Sequence, residues 1–215
     1  MRWLILFSLF ILGCSGYRFT QQDNPLSQYG IHSLSVPMFY NYSNLPDVSA
    51  DFTREVYRLL TGFSGLKIRS GYSDSTDAVM IGIIKSPEKM VDTIKPAGIS
   101  QAQGKTPLSV GAKRPNFNVP GASLITLMVQ VIVIKHPTEE ELALLKSGIG
   151  DQIIMKSKVI LNETIPIQAS MSREFLDDSG TQVMATQNLG VQRKTITSMS
   201  VQAAASIRDL ILYAF

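Results

Sequence analysis

The chain has one cysteine, Cys14, and two histidines, His32 and His136, in 215 residues. A lone cysteine excludes any disulfide within one chain. A Ser-His-Asp site would have to use one of the two histidines, and neither sits in a motif. No His/Cys/Asp cluster has metal-ligand spacing, so no cofactor is expected. Catalysis needs convergent acids, bases, nucleophiles or metals, and their absence points to a protein that is not an enzyme. One near-miss is Gly98-Ile99-Ser100-Gln101-Ala102-Gln103-Gly104-Lys105-Thr106. It resembles a phosphate-binding loop but has five residues between its glycines where that loop needs four, and no strand is expected to feed it. There is no repeat at solenoid spacing. Formal charge is only +3, too little to argue for a nucleic-acid partner.

The N-terminus carries the strongest local signal. Arg2 is followed by a mostly apolar run over residues 3–12, broken by Ser8. That run is about half of the ~20 residues a spanning helix needs, and polar and turn-forming residues follow at once. A charged start, a short apolar stretch and a small residue before the cut describe a secretory signal peptide. Ile11-Leu12-Gly13-Cys14 resembles a bacterial lipobox, whose cysteine thiol receives a diacylglycerol before the preceding bond is cut. The expected organisation is therefore a signal at 1–13, a lipidated Cys14 with a polar tether at 14–30, and one domain at 31–215. Stable anchoring takes more than one acyl chain, and such lipoproteins carry several, so the mature chain should sit on a membrane without crossing it. Without Arg2 its charge falls to +2. The sequons Asn41-Tyr42-Ser43 and Asn162-Glu163-Thr164 carry no weight in a bacterial lipoprotein.

With 45 % hydrophobic residues, the remainder is globular. Leu34, Val36 and Met38 alternate with Ser33 and Ser35, which predicts a half-buried strand over 31–39 that leaves the sheet or lies at its edge near Pro37. Phe52, Val56, Leu59, Leu60 and Phe63 share a helical face, with Arg54, Glu55 and Arg58 largely opposite. Ser49 or Asp47 is placed to cap that helix, and Gly65 to end it. Further strands are predicted at 66–70, 78–84, 124–134 and 153–167. The strand at 124–134 is apolar on both parities and so should be covered on both faces. A short helix is predicted at 138–146, capped by Thr138 with an acidic first turn. Residues 168–187 are ambiguous apart from a turn at Asp177-Asp178-Ser179-Gly180. The chain should end in a helix from about residue 197, striped by Met199, Ala203, Ile207, Leu210 and Ala214. This order suggests an α+β layer with two main helices on one face of a mixed sheet.

Residues 91–121 hold four prolines and little periodicity, which reads as a long basic loop inserted in the domain. Over 85–118 the basic residues are Lys85, Lys89, Lys95, Lys105, Lys113 and Arg114, against Glu88 and Asp92. The local excess of +4 exceeds that of the whole mature chain, and Lys156 and Lys158 would add to it if their strand were adjacent. Such a segment on an anchored protein suits anionic lipid, sugar phosphate or an acidic partner. Lys105, Lys113 and Arg114 are the candidate ligand-binding residues.

Gly16-Tyr17-Arg18-Phe19 and Ile31-His32-Ser33-Leu34-Ser35-Val36-Pro37-Met38-Phe39-Tyr40-Asn41 resemble the opening of the lipopolysaccharide-assembly lipoproteins, the LptE family. So do Phe52-Thr53-Arg54-Glu55, the strand Asp77-Ala78-Val79-Met80-Ile81-Gly82-Ile83-Ile84 and the closing helix. The resemblance implies an α+β two-layer sandwich of two helices on a sheet of about four strands, in line with the layer reading. It implies an outer-membrane lipoprotein on the periplasmic side, with a large LptD-like barrel as partner. Members of the family plug that barrel, help it assemble and contact lipopolysaccharide during export. Ser15 after the cysteine is compatible with sorting to the outer membrane. An alternative from another class is a lipoprotein regulator of a cell-wall synthase. Such regulators usually need a long reach, whereas the tether here is short.

Overall fold

The computed structural model describes residues 22–73, 75–103, 116–146, 158–173 and 185–213. Cys14, Lys105, Lys113, Arg114, Lys156 and the 177–180 turn lie outside them. The strands are β1 (Gln22–Asp23), β2 (Ser33–Val36), β3 (Tyr40–Tyr42), β4 (Phe63–Ser64), β5 (Lys67–Ser70), β6 (Ala78–Lys85), β7 (Ile94–Gln103), β8 (Asn116–Lys135) and β9 (Val159–Ser172). The helices are α1 (Val48–Leu60), α2 (Glu139–Lys146) and α3 (Ala185–Tyr213).

The fold is α+β with a mixed sheet, but the sheet has seven strands rather than about four. Its centre is β6 beside β8, paired antiparallel from Ala78↔Lys135 to Lys85↔Met128. On the other edge of β6 lie β2 and then β3, both parallel to it, with β5 outside β2. The long β8 takes β9 along one edge, while β6 and β7 share its other edge end to end. The additional strands are short or belong to the 91–121 segment, where hydrophobic periodicity gives no signal.

That segment is the main correction. It is not a loop: β7 and the first half of β8 form an antiparallel arm, from Ile94↔Ile125 to Gln103↔Asn116. Pro96 and Pro120 fit because each stands at an edge position; Pro107 and Pro115 lie outside the described residues. Pro96 is on β7, which pairs only with β8, and Pro120 precedes the start of β9 pairing at Ala122. Part of the tether reading also changes: β1 pairs with β4, and Leu26 in the following turn is fully buried.

The expected cover on both faces of the 124–134 strand is present over Val129–Ile134, while Leu124, Thr126 and Met128 are only partly buried. Ile125, Leu127, Val129, Val131 and Val133 face a core shared with Phe52, Val56 and Leu60 of α1 and Met199, Ala203, Ile207 and Ile211 of α3. Ile132 and Ile134 face the other way, into a second buried cluster with Val79, Ile81 and Ile83. The strand ends at Val36 before Pro37, and the chain rejoins the sheet at Tyr40; Met38, between them, is 64 % exposed.

Several boundaries differ from expectation. Asp47 precedes α1 with φ of 59° and makes no capping bond, because capping needs an extended backbone at that position. α1 stops at Leu60, so Phe63 belongs to β4 and Gly65, with φ of 78°, to the turn after it. Glu55 is buried rather than outward, held by Arg58 at 2.7 Å and Arg54 at 3.3 Å. β9, Val159–Ser172, runs five residues past the expected end at 167, while 153–157 lie outside the described residues. α3 begins at Ala185, twelve residues early: its polar first half simply continues the helix that the packed second half requires. At α2 the expected cap is present as a reciprocal box, with Glu141 N–H donating to Thr138 Oγ1 at 3.3 Å and Thr138 N–H to Glu141 Oε2 at 2.8 Å.

A carboxylate lock joins the starts of β2 and β6. Asp77 Oδ2 accepts from the N–H groups of His32 and Ser33, each at 2.9 Å, and from Ser33 Oγ at 2.8 Å. Ser33 Oγ accepts in turn from Asp77 N–H at 2.9 Å. The His32 backbone bond, followed by the Ser33 hydroxyl, holds the Asp77 carboxyl below its usual range. A lowered folded-state pKa gives stability that is present above the unfolded value of about 3.9 and is lost as pH falls through the folded value. Asp77→Asn should therefore show a smaller loss of stability than wild type between pH 5 and the acid limit, measured by urea unfolding. Equal acid sensitivity of the two proteins would show that the lock does not set it.

Candidate functional site

The basic segment does not form one patch. Lys95 pairs with Asp92 at 3.3 Å. Lys89 is exposed beside Met90 and Val91, which are 63 % and 76 % exposed at the root of the arm. Lys105, Lys113 and Arg114 belong to the link between the paired residues Gln103 and Asn116 and lie outside the described residues. Lys158 does not join them. It pairs with Glu141 at 3.1 Å next to Lys135, ten residues of β8 beyond Ile125, or about 33 Å along the strand.

Lys85 is different. It is half-buried at the end of β6, and its Nζ donates to Gln130 Oε1 at 2.8 Å. Gln130 Nε2 donates onward to Asn162 Oδ1 at 2.9 Å. The row crosses β6, β8 and β9 on the face away from α1 and α3, because Lys85 shares the parity of Ile81 and Ile83, and Gln130 that of Ile132. No carboxylate among the described residues pairs with Lys85.

Aromatic rings extend the row beyond Lys85. Tyr42 pairs in register with Lys85, and Tyr40 with Ile83. The two rings stack with centroids 6.4 Å apart and planes 20° apart. The Tyr40 and Tyr72 hydroxyls are hydrogen-bonded to each other. Burial, and then that bond, push the Tyr72 hydroxyl pKa upward, so it stays protonated at any physiological pH. Tyr42 is 44 % exposed, and Asn162 and Thr164 are exposed at the other end. The row thus offers an exposed ring, an exposed amide and a half-buried cation, with Gln130, 5 % exposed, buried between Lys85 and Asn162. Sequence reading had singled out Lys85 but not its companions, because Tyr42, Gln130 and Asn162 come from strands far apart in the chain.

The residues quoted for the family resemblance have structural tasks. Thr53 Oγ1 accepts from Phe39 N–H at 2.9 Å and donates to Ser49 O at 2.7 Å, tying the β2–β3 connection to α1. Arg54 bridges Asp51 at 2.9 Å as well as Glu55. An open cleft of about 490 Å³ lies between the start of α1 and α3, with Asp47 and Asp51 against Arg193 and with Leu189 and Ile196 in its wall. Its charges are of both signs, so it favours no single ligand class. Among the described residues no group of three or more His, Cys, Asp or Glu could hold a metal, and no helix is long and apolar enough to cross a membrane.

No protein-family model and no curated protein matches the chain. Among solved structures it is similar to rare lipoprotein B from Shewanella oneidensis, at 13 % identity over 83 % of this chain and 92 % of that one, with a TM-score of 0.32. The hypothetical protein CT253 from Chlamydia trachomatis gives 10 % identity over 81 % and 96 %, with a TM-score of 0.32. The PelC dodecamer from Paraburkholderia phytofirmans gives 11 % identity over 80 % and 84 %, with a TM-score of 0.34. At such low identities and TM-scores these likenesses carry no argument about ligand, partner or anchor.

Proposed function

We propose that the chain is a non-enzymatic lipoprotein, anchored through Cys14 on the periplasmic side of the outer membrane, that plugs and helps assemble an LptD-like barrel for lipopolysaccharide export. The observation that carries this reading is where the family-like segments fall. Residues 31–41, 52–55 and 77–84 occupy β2, β3, α1 and β6, which build one parallel unit around the Asp77 lock and the Thr53 tie. The closing helix α3 then packs beside α1. The lipobox-like sequence supports the anchor, and the local charge excess of the sequence over 85–118 supports contact with phosphates and acidic sugars.

Changing Cys14 to alanine should leave unprocessed or mislocalised precursor. In wild type, mass spectrometry of the mature N-terminus should find an acylated cysteine. An unmodified Cys14 in the membrane fraction would remove the lipoprotein claim.

Changing Lys105, Lys113 and Arg114 together to glutamine should weaken lipopolysaccharide binding while leaving barrel binding intact. Hydrogen bonds to charged groups contribute about 1.5–3 kcal/mol each when formed, and exposed charges far less. The loss should shrink as salt rises, because screening already weakens the wild-type contact. Unchanged binding at low salt would make the arm's charges merely solubilising. Loss of both activities would place the arm in the barrel interface.

A further inference from the structure

We infer that the sheet face opposite α1 and α3 carries a binding site for an acidic oligosaccharide, with Tyr42, Lys85 and Asn162 as its accessible members and the buried Gln130 linking Lys85 to Asn162. Four adjacent strands contribute one residue each, so the row spans three strand spacings, about 15 Å. That is long enough for more than one sugar ring. Tyr42, Lys85 and Asn162 each suit part of such a ligand, while Gln130, 5 % exposed, holds Lys85 and Asn162 in place. A pyranose ring presents a flat face of C–H groups to an aromatic ring, and Tyr42 is exposed in a stacked pair whose inner member, Tyr40, is anchored against the second buried cluster. Sugar hydroxyls both donate and accept, as do side-chain amides, and the exposed Asn162 uses its carbonyl oxygen on Gln130, which leaves its NH₂ directed elsewhere.

Lys85 assigns the charge of the ligand. An ammonium has three donors, and Gln130 takes one. A half-buried cation beside a neutral amide, with no carboxylate paired to it among the described residues, gains most from an acidic group on the incoming sugar. The amide row also holds Lys85 in place beforehand, so little side-chain entropy remains to be lost on binding. A plain anion site would need no aromatic ring and no second amide.

This inference rests on the lipopolysaccharide reading for the source of the ligand, but its chemistry is shared by another envelope glycan. Both the sugar acids of a lipopolysaccharide core and the lactyl acid of muramic acid place a carboxylate on a pyranose-type ring. The test uses the full-length acylated protein in detergent, titrated calorimetrically with four probes. These are a core oligosaccharide freed of lipid A, the disaccharide of N-acetylglucosamine and N-acetylmuramic acid, neutral maltohexaose, and inorganic phosphate.

The core oligosaccharide should bind and maltohexaose should not. Lys85→Gln and Tyr42→Ala should each weaken binding about tenfold, as expected when one charged hydrogen bond or one stacked ring is lost. Tyr42→Phe, which keeps the ring, should bind more tightly than Tyr42→Ala, and urea unfolding of each variant serves as the folding control. Binding of the muramic disaccharide in place of the core would uphold the row and contradict the export reading. The inference is overturned if neither acidic glycan binds, if Tyr42→Ala binds as wild type, or if phosphate displaces the glycan at equal concentration.

Discussion

Gly82→Ala is expected to cost about 3 kcal/mol or more, at or above the upper end of the range for forcing extra atoms into a packed core. Gly82 lies in β6 on the face toward the helices, and the Phe39 ring lies flat over it. A Cβ built at Gly82 would stand well under 3.0 Å from Cγ, Cδ2 and Cε2 of that ring. Because Cγ itself clashes, turning the ring about its own axis gives no relief, and the whole side chain must leave its rotamer. The backbone there is held by the bond from Phe39 N–H to Thr53 Oγ1. Phe39 is 2 % exposed, so no open space receives it. Urea unfolding should show a lower midpoint with unchanged slope. The mechanism has its own check: Phe39→Ala should reduce the penalty of Gly82→Ala, because the two residues share one contact. Additive losses would mean that the glycine is required for some other reason.

Leu60→Ala is the second large effect, about 2–5 kcal/mol, from lost transfer free energy plus the cavity left behind. Leu60 is fully buried in the core between α1 and the sheet. A loss below about 0.5 kcal/mol is what exposed positions show, and would contradict the packing of α1. The two substitutions probe opposite sides of one interface. One creates a void beneath the helix, and the other forces an atom into the sheet that the helix covers.

What could be read in advance follows from physical range. α1 announced itself because Phe52, Val56 and Leu60 repeat within thirteen residues and pack on one surface. The doubly covered strand was visible because burial on both faces leaves no polar parity over Val129 to Ile134 except at Gln130. The arm was not visible. Pro96 and Pro120 normally argue against a strand, and only an edge with an outward-facing or unpaired position tolerates them. Glu55 was misplaced because its burial depends on two arginines and not on helical phase. Residues 185–196 at the start of α3 hold only Leu189, Val191 and Ile196 as large apolar side chains, too sparse to mark a stripe.

The candidate surface was legible only at Lys85. Its charge excess was visible locally, whereas its meaning depends on register. Tyr42 meets Lys85 through a parallel pairing, and Gln130 and Asn162 through antiparallel ones. Residue spacing along the chain does not encode those pairings. Conversely, the segments behind the family resemblance were legible, and they turned out to hold the parallel unit together: Ser33 and Asp77 through their lock, Thr53 through Phe39.

The most direct measurement is affinity capture of the full-length protein from native outer membranes, solubilised gently and analysed for co-purifying proteins. The account predicts an LptD-like barrel as the main partner, retained when Lys105, Lys113 and Arg114 are changed to glutamine and lost when Cys14→Ala blocks sorting. Recovery of a cell-wall synthase in place of the barrel, or of the protein alone from intact outer membrane, would contradict it.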